Sequence, residues 1–287
     1  MKNRSQKKGI FYKILLSILF AHFLVFMNAQ ELYTPKGVTM LKNKTFDNSE
    51  KVRKEILDLY KDLRLTDVLD GMDLIGLQDI GLMDNDIRPL WRDPEKFTHR
   101  VIGFAVTVRY VPTDTRVGVN SFKSIEDAKA WKDQQYGRAS DAGWVKSGKP
   151  GDVVVMDVNG VFECGNIGSN NSLGWAQNGY AGVISNGGAR DTDEIIKTGK
   201  IPVYCRDGYS TRGVRPGRLI IESYNFPISC AGVLVYPGDL IVADGDGVIV
   251  VPREHALQVG KLAYEIMTGD QTSRAQRLED LDRRGPY

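Results

Sequence analysis

Apolar and polar positions recur along this chain with two different periods. Between Ser49 and Leu63, Val52, Ile56, Leu57 and Tyr60 fall on one side of a helical wheel, behind a serine suited to cap the first turn. Thr66 is placed to cap a second helix that carries Asp67 in its first turn and continues through Leu69 and Met72. The run from His99 to Pro112 predicts a strand, and Ser124 to Gly137 predicts a helix that starts on Ser124. From Gly151 the pattern sharpens into strands separated by glycine turns: GDVVVMDVNG, YAGVISNGG, IPVYCRDG, GRLIIESY, CAGVLVYPGD and the pair within LIVADGDGVIVVP. Short helical stretches interrupt them at LGWAQNG, ending at Gly179, and at Asp191 to Thr198. Arg253 to Met267 predicts a helix with Ala256, Val259, Leu262 and Ile266 inward. The charged stretch Gly269 to Tyr287 reads as helical before Gly285.

Strands outnumber helices in this reading, which predicts an α/β domain from Val52 to Met267. Residues 31–51 form an irregular mature N-terminus and residues 268–287 a charged C-terminal tail. The first 30 residues differ from the rest. Lys2, Arg4, Lys7 and Lys8 precede an apolar run from Ile14 to Met27, and Asn28-Ala29-Gln30 follows. A basic head, a short apolar core and a small residue near a polar exit predict a signal peptide and an exported, periplasmic or extracellular protein. Retention of residues 14–27 as a membrane anchor is the alternative, although the run is short for a span.

Charge narrows the partners. With 38 basic and 36 acidic residues the chain carries no bulk field that would recruit a nucleic acid. The three cysteines, Cys164, Cys205 and Cys230, match no metal-ligand spacing; Cys205 and Cys230 could pair, and small core fillers are the simpler reading of all three. The three histidines form no zinc pattern. Neither a phosphate-loop lysine motif nor a G-x-S-x-G elbow occurs. The aspartates Asp239, Asp244 and Asp246 lack the regular spacing of a calcium loop and fit tight turns between buried strands.

Candidate chemistry gathers in SNGGARDTDEI, Ser185 to Ile195. Gly187 and Gly188 let the backbone turn without side-chain bulk, and Arg190 then stands beside Asp191. An arginine offers planar paired donors to a carboxylate, and an aspartate can hold a hard divalent cation directly or through water. A surface ion pair at a helix start is the plainer alternative. Upstream, GNIGSNNSLGWAQNG places Gly168, Ser169, Asn170 and Asn171 just before a helical stretch. Backbone N–H groups there would cradle an anion, and an ordinary capped loop is again the alternative.

These stretches together, GDVVVMD, Gly168, GYAGVISNGGARDTDEI, IPVY and VYPGDLIVADGDGVIVVP, with LRLTDVLDGM and VIGFAVTVRYVP upstream, resemble one family over roughly Leu57 to Met267. It is the family of class II 4-hydroxy-4-methyl-2-oxoglutarate aldolases and regulator-of-ribonuclease-activity-A-like (RraA-like) proteins. The resemblance implies an α/β fold of the swivelling β/β/α type, assembled as a homotrimer or homohexamer. It implies Mg2+ or Mn2+ and a small 2-oxo acid substrate: cleavage of a 4-hydroxy-2-oxo dicarboxylic acid, or decarboxylation of oxaloacetate, to pyruvate. The family's arginine falls on Arg190, as a catalytic and substrate-binding residue. Its metal aspartate falls on Asp191, and its substrate-binding amides fall within Gly168, Ser169, Asn170 and Asn171. Family enzymes carry an acidic residue after that glycine, then two apolar residues, where this chain has Ser169, Asn170 and Asn171. Asn186 replaces a frequent aspartate. Noncatalytic relatives bind an RNA-degrading enzyme through their surface, so a binding or regulatory protein, or an enzyme of changed substrate on the same scaffold, is the alternative function.

Overall fold

The computed structural model describes residues 35–114, 121–139, 143–206, 212–214 and 217–284; the leader-like stretch Met1–Gln30 lies outside the described residues. The chain divides into two units, Met1–Met40 and Leu41–Tyr287. Of the first, residues 35–40 are described and carry no regular structure. Everything below concerns the second.

Two helices open it, α1 (Glu50–Tyr60) and α2 (Leu65–Asp73). Ser49 caps α1 as expected, its hydroxyl accepting from the Val52 N–H at 3.4 Å. Thr66 does not cap α2. Its place is taken by Arg64, whose N–H donates to the Asp67 carboxylate at 2.9 Å, while the Leu65 N–H donates to Asp244 at 2.9 Å. Those two tertiary and local acceptors start the helix one residue before Thr66.

The main sheet runs in the order β1 (Ile87–Pro89), β7 (Val203–Arg206), β5 (Gly182–Ser185), β3 (Asp152–Asp157), β2 (Val101–Pro112), β12 (Leu240–Asp244), β13 (Gly247–Val251). The long strand β2 is its pivot. One edge pairs parallel with β3 from Phe104 to Arg109, while the other pairs first with β12 and then, from Val108 across a bulge at Arg109/Tyr110, with β9 (Leu219–Tyr224). The sheet nearly closes on itself. Residues Gly81 to Met83 run along β13, with the Val250 N–H donating to the Gly81 carbonyl at 2.8 Å and the Met83 N–H to Val248 at 3.0 Å. The same segment then continues into β1, which pairs with β7. Only glycine allows this approach, because a Cβ at Gly81 would lie 2.2 Å from the Val250 carbonyl oxygen.

Alternation along these strands sorts the apolar residues into three packed groups. Val153, Val155, Ile184, Tyr204 and Val250 point inward, where the hairpin of β10 (Ile228–Cys230) and β11 (Val233–Val235) adds Ile228, Cys230 and Val235. Val154, Met156, Val183, Val203 and Cys205 point to the opposite face. They pack there with Trp144, Trp175 and Tyr180. Phe104, Leu240, Val242, Ile249 and Val251 are covered by α1, α2 and the C-terminal helix α6 (Ala256–Arg284). Cys205 and Cys230 thus sit on opposite faces of the sheet. No disulfide joins any of the three cysteines, all of which are buried. The two helical stretches read on either side of Thr268 are one helix, since α6 continues through Gly269 to Arg284 after a single 3-10 turn at Arg253–His255.

A second, three-stranded sheet, β6 (Gly188–Ala189), β4 (Cys164–Ile167) and β8 (Arg212–Gly213), is wholly parallel. Its carboxyl ends lead into α4 (Ser169–Gln177) and α5 (Thr192–Thr198). The remaining helix, α3 (Ile125–Arg138), is capped by the Ser124 hydroxyl, which accepts from the Asp127 N–H at 3.1 Å. None of the described helices is long and apolar enough to cross a membrane.

One buried ion pair ties α1 to β3. The Arg53 guanidinium donates to Asp152 at 2.8 Å and lies 4.5 Å from the centre of the Phe104 ring. Asp152 also accepts from the Lys149 N–H at 2.7 Å. Burial pushes the Asp152 carboxyl above its ordinary value, against the lowering effect of these donors. Removing the cation leaves a buried charge without its partner, a loss of about 3–5 kcal/mol. Arg53→Ala is therefore expected to lower the melting temperature sharply at neutral pH. A carboxyl whose folded pKa is raised contributes stability below its unfolded value, about 3.8, and loses it as pH rises through the folded value. The deficit of Arg53→Ala relative to wild type should therefore shrink on acidification, read from thermal unfolding between pH 4 and pH 8. A deficit that is flat across this range would remove Asp152 as its cause.

Candidate active site

The cleft forms where three parallel strands end. β4 stops at Ile167 because Gly168 turns the chain into α4, and β6 stops at Ala189, with Arg190 and Asp191 next. The Arg190 N–H donates to the Ile167 carbonyl at 2.9 Å, so the two strand ends are locked side by side. Crevices outside the carboxyl ends of parallel strands are where open α/β sheets place ligands. This one has a volume of about 370 Å3 and is lined by Asn166, Gly168, Asn170, Asn171, Arg190 and Asp191, with Tyr110, Gly213 and Val214 from β2 and the β8 end. Its remaining wall is α3, through Lys132, Tyr136 and Ala139.

Asp191 takes φ 56° and ψ 35°, a left-handed conformation uncommon outside glycine and more accessible to aspartate than to most residues. It immediately precedes α5 yet gives that helix no side-chain cap. Its carboxylate turns instead toward α4 and accepts from the Ser169 N–H at 3.3 Å, with the Arg190 Nε 3.3 Å away on the other oxygen. Gly168 makes this possible, because a Cβ there would stand 3.1 Å from the Asp191 Oδ2. The expected helix-start position of Asp191 is thus right, and its expected service to the helix dipole is replaced by a tertiary contact.

The polar turn Ser169-Asn170-Asn171 is itself the first turn of α4, four residues earlier than the periodicity of LGWAQNG predicts. Gly168 is its N-cap and carries no capping side chain. The Asn170 and Asn171 N–H groups have no acceptor among the described residues, so they remain directed outward as helix N-termini leave them. The structure therefore brings together every predicted site residue: Arg190 and Asp191 on one strand end, and Gly168, Ser169, Asn170 and Asn171 on the other.

Two further residues enter that sequence reasoning missed. Glu194 on α5 places its Oε2 3.3 Å from the Ser169 hydroxyl, which is 3.5 Å from Asp191 Oδ2. A second carboxylate thus stands beside the serine that replaces the family's usual acid. Helical spacing from Asp191 was the signal for it, since residues three apart share a helix face. Lys132 reaches the cleft from α3, more than 50 positions upstream of Arg190, and nothing in the local pattern marks it.

Mg2+ or Mn2+ can be tested against this donor set. Among the described residues no group of three His, Cys, Asp or Glu side chains forms a cage. Mg2+ does not require one, because it keeps several waters and takes one or two carboxylates plus substrate oxygens. Asp191 and Glu194, on either side of the Ser169 hydroxyl, supply that hard-oxygen set.

A second cleft of about 410 Å3 contains Arg109 and Arg206. Its cations are already neutralised: Arg206 pairs with Asp84 and Asp86, and Arg109 with Asp157 and Glu222. Four carboxylates against two guanidiniums repel an anionic substrate. Arg190 has a single carboxylate neighbour and a side chain 44 % exposed, so the first cleft is the better anion site.

Comparison with known proteins agrees with this geometry. The family model of RraA-like proteins, described as Aldolase/RraA, matches residues 65–250. A Halalkalibacterium halodurans protein named "Putative 4-hydroxy-4-methyl-2-oxoglutarate aldolase" is 40% identical over 117 residues, 39% of this chain and 53% of that protein. The chain thus spans about half the length of that relative. A crystal structure from Pseudomonas syringae pv. tomato superposes with a TM-score of 0.59 at 25% identity, covering 82% of this chain and 94% of that one. Streptomyces coelicolor RraAS2, described as an unusual member of the RNase ES inhibitor RraA family, shares the fold with a TM-score of 0.60 at 24% identity over 77% of this chain and 96% of that one. With the near-closed sheet, the parallel β6-β4-β8 edge and the family match over most of its body, this chain belongs to the RraA-like family.

Proposed function

We propose that the cleft at Arg190 is the active site of a divalent-metal-dependent carbon–carbon lyase that acts on a small 2-oxo acid and yields pyruvate. The single observation that carries this reading is the convergence of Arg190, Asp191 and the unpaired α4 amides on one concave surface. The substrate's 1-carboxylate lies on the Asn170 and Asn171 N–H groups, and its keto oxygen meets the Arg190 guanidinium. Asp191 and Glu194 hold the cation, which when bound supplies Lewis-acid polarisation of the keto group. Breaking the bond beyond C3 sends its electron pair toward the C2 carbonyl, and the enolate oxygen so formed is where Arg190's donors act most strongly. Protonation of the enolate carbon by water then gives pyruvate. When the substrate is a 4-carboxy-4-hydroxy-2-oxo acid, the 4-hydroxyl gives its proton to water as C4 becomes the keto carbon of a second 2-oxo acid; when it is oxaloacetate, the other fragment is carbon dioxide. The basic and apolar leader of the sequence supports action outside the cytoplasm.

Protein lacking residues 1–30 is expected to release pyruvate from oxaloacetate or 4-hydroxy-4-methyl-2-oxoglutarate with Mg2+ or Mn2+, and to stop when a chelator is added. Arg190→Ala should lower kcat/KM by about 100- to 1,000-fold, the usual cost of one donor to a developing oxyanion. Full activity in that variant, or activity indifferent to chelation, would sink the reading. Glu194→Gln should raise the half-saturating Mn2+ concentration roughly tenfold or more. Mn2+ titration by electron paramagnetic resonance reads that change independently of turnover, and an unchanged binding curve would remove Glu194 from the cation site.

A further inference from the structure

The two strand ends account for one side of the cleft and leave its other wall unexplained. That wall is α3, and Lys132 and Tyr136 stand one helical turn apart on it, both lining the cleft that holds Arg190. Lys132 forms no ion pair among the described residues, whereas Arg190 already has Asp191 at 3.3 Å. Without a cation bound, the lining therefore holds two basic side chains and one carboxylate. A 2-oxo acid with a single carboxylate would occupy the α4 amides and Arg190 and leave the lysine unsatisfied. An acid with a second carboxylate at its far end would satisfy both walls, and a volume of about 370 Å3 has room for a chain of that length.

We propose that Lys132 is the specificity-determining residue of this site, pairing with the distal carboxylate of a dicarboxylic 2-oxo acid. The proposal deepens the reading of the same cleft as a 2-oxo acid site, but it concerns recognition and does not depend on turnover. Lys132 is placed to select substrate and has no assigned role at the reacting carbon. Its position on a helix capped by Ser124 fixes where the ammonium meets the cleft, and the lysine's flexible stem tolerates acids that differ by a carbon.

Binding of two acids that lack a cleavable bond separates the possibilities. 2-Oxoglutarate and 2-oxobutyrate share the 2-oxo acid head, and only the first has a distal carboxylate. Calorimetry with leaderless protein and Mg2+ is expected to show tighter binding of 2-oxoglutarate. Lys132→Met should weaken 2-oxoglutarate about fivefold, the worth of a partly exposed ion pair, and leave 2-oxobutyrate within twofold. Lys132→Arg should restore the preference and Lys132→Glu should reverse it. Unchanged 2-oxobutyrate affinity serves as the folding control. If Lys132→Met weakens both acids equally, or neither, the proposal is overturned, and absence of binding of either acid to the wild type overturns it as well. Selective binding without pyruvate release from any substrate would reject the lyase and keep the proposal. Pyruvate release with no selective effect of Lys132 would do the opposite.

Discussion

The geometry of the cleft depends on one backbone hydrogen bond between two very short strands. The Arg190 N–H donates to the Ile167 carbonyl, and that bond sets the end of β6 against the end of β4. Each strand end then delivers a different chemical group. β4 passes through Gly168 into the exposed amides of α4, and β6 passes into a guanidinium and a carboxylate. A change in register would separate these groups. The absence of a side chain at Gly168 and the left-handed backbone at Asp191 are the local concessions that let the two ends meet.

The larger sheet provides the rigidity that such short strands lack. β2 is buried along most of its length and pairs with three strands, and the segment after Gly81 draws β13 toward β1. The small parallel sheet packs on the outer face of this near-closed barrel through Ile167, Ala189 and the Trp144, Trp175 and Tyr180 group. The residues of the cleft thus stand on element ends supported by a packed core, an arrangement that keeps side chains in place while leaving their tips exposed.

Electrostatics separates this cleft from its neighbour. Both contain arginine, yet Arg206 and Arg109 each face two carboxylates, whereas Arg190 pairs with Asp191 alone and Lys132 forms no ion pair among the described residues. The substitution of Ser169 for an acidic residue acts in the same direction. It leaves no charge next to the exposed α4 amides, and Glu194 returns a carboxylate to the hydroxyl from the α5 side. Asp191 and Glu194 thereby stand on either side of the Ser169 hydroxyl.

Strand runs, Gly-Gly before Arg190-Asp191 and the Gly168 turn are local features, so periodicity and motif sufficed to read most of the fold and six of the site residues from the sequence. The strand read at GDVVVMDVNG buries Val153 and Val154 on opposite faces in the structure, because a strand has a period of two wherever it lies. The start of α2 and the start of α4 escaped the sequence reading. In the first, Asp244, nearly 180 positions away, supplies an acceptor that the local sequence does not contain. Glu194 and Lys132 escaped for the same reason: a charged residue on a helix reads as a solvated face until another element is placed against it. Sequence by itself determined the chemical groups and the family. Only tertiary structure decided that Asp191 would turn away from its own helix toward Ser169, and that a helix from the first half of the chain would close the cleft with a lysine, because both follow from contacts between segments distant along the chain.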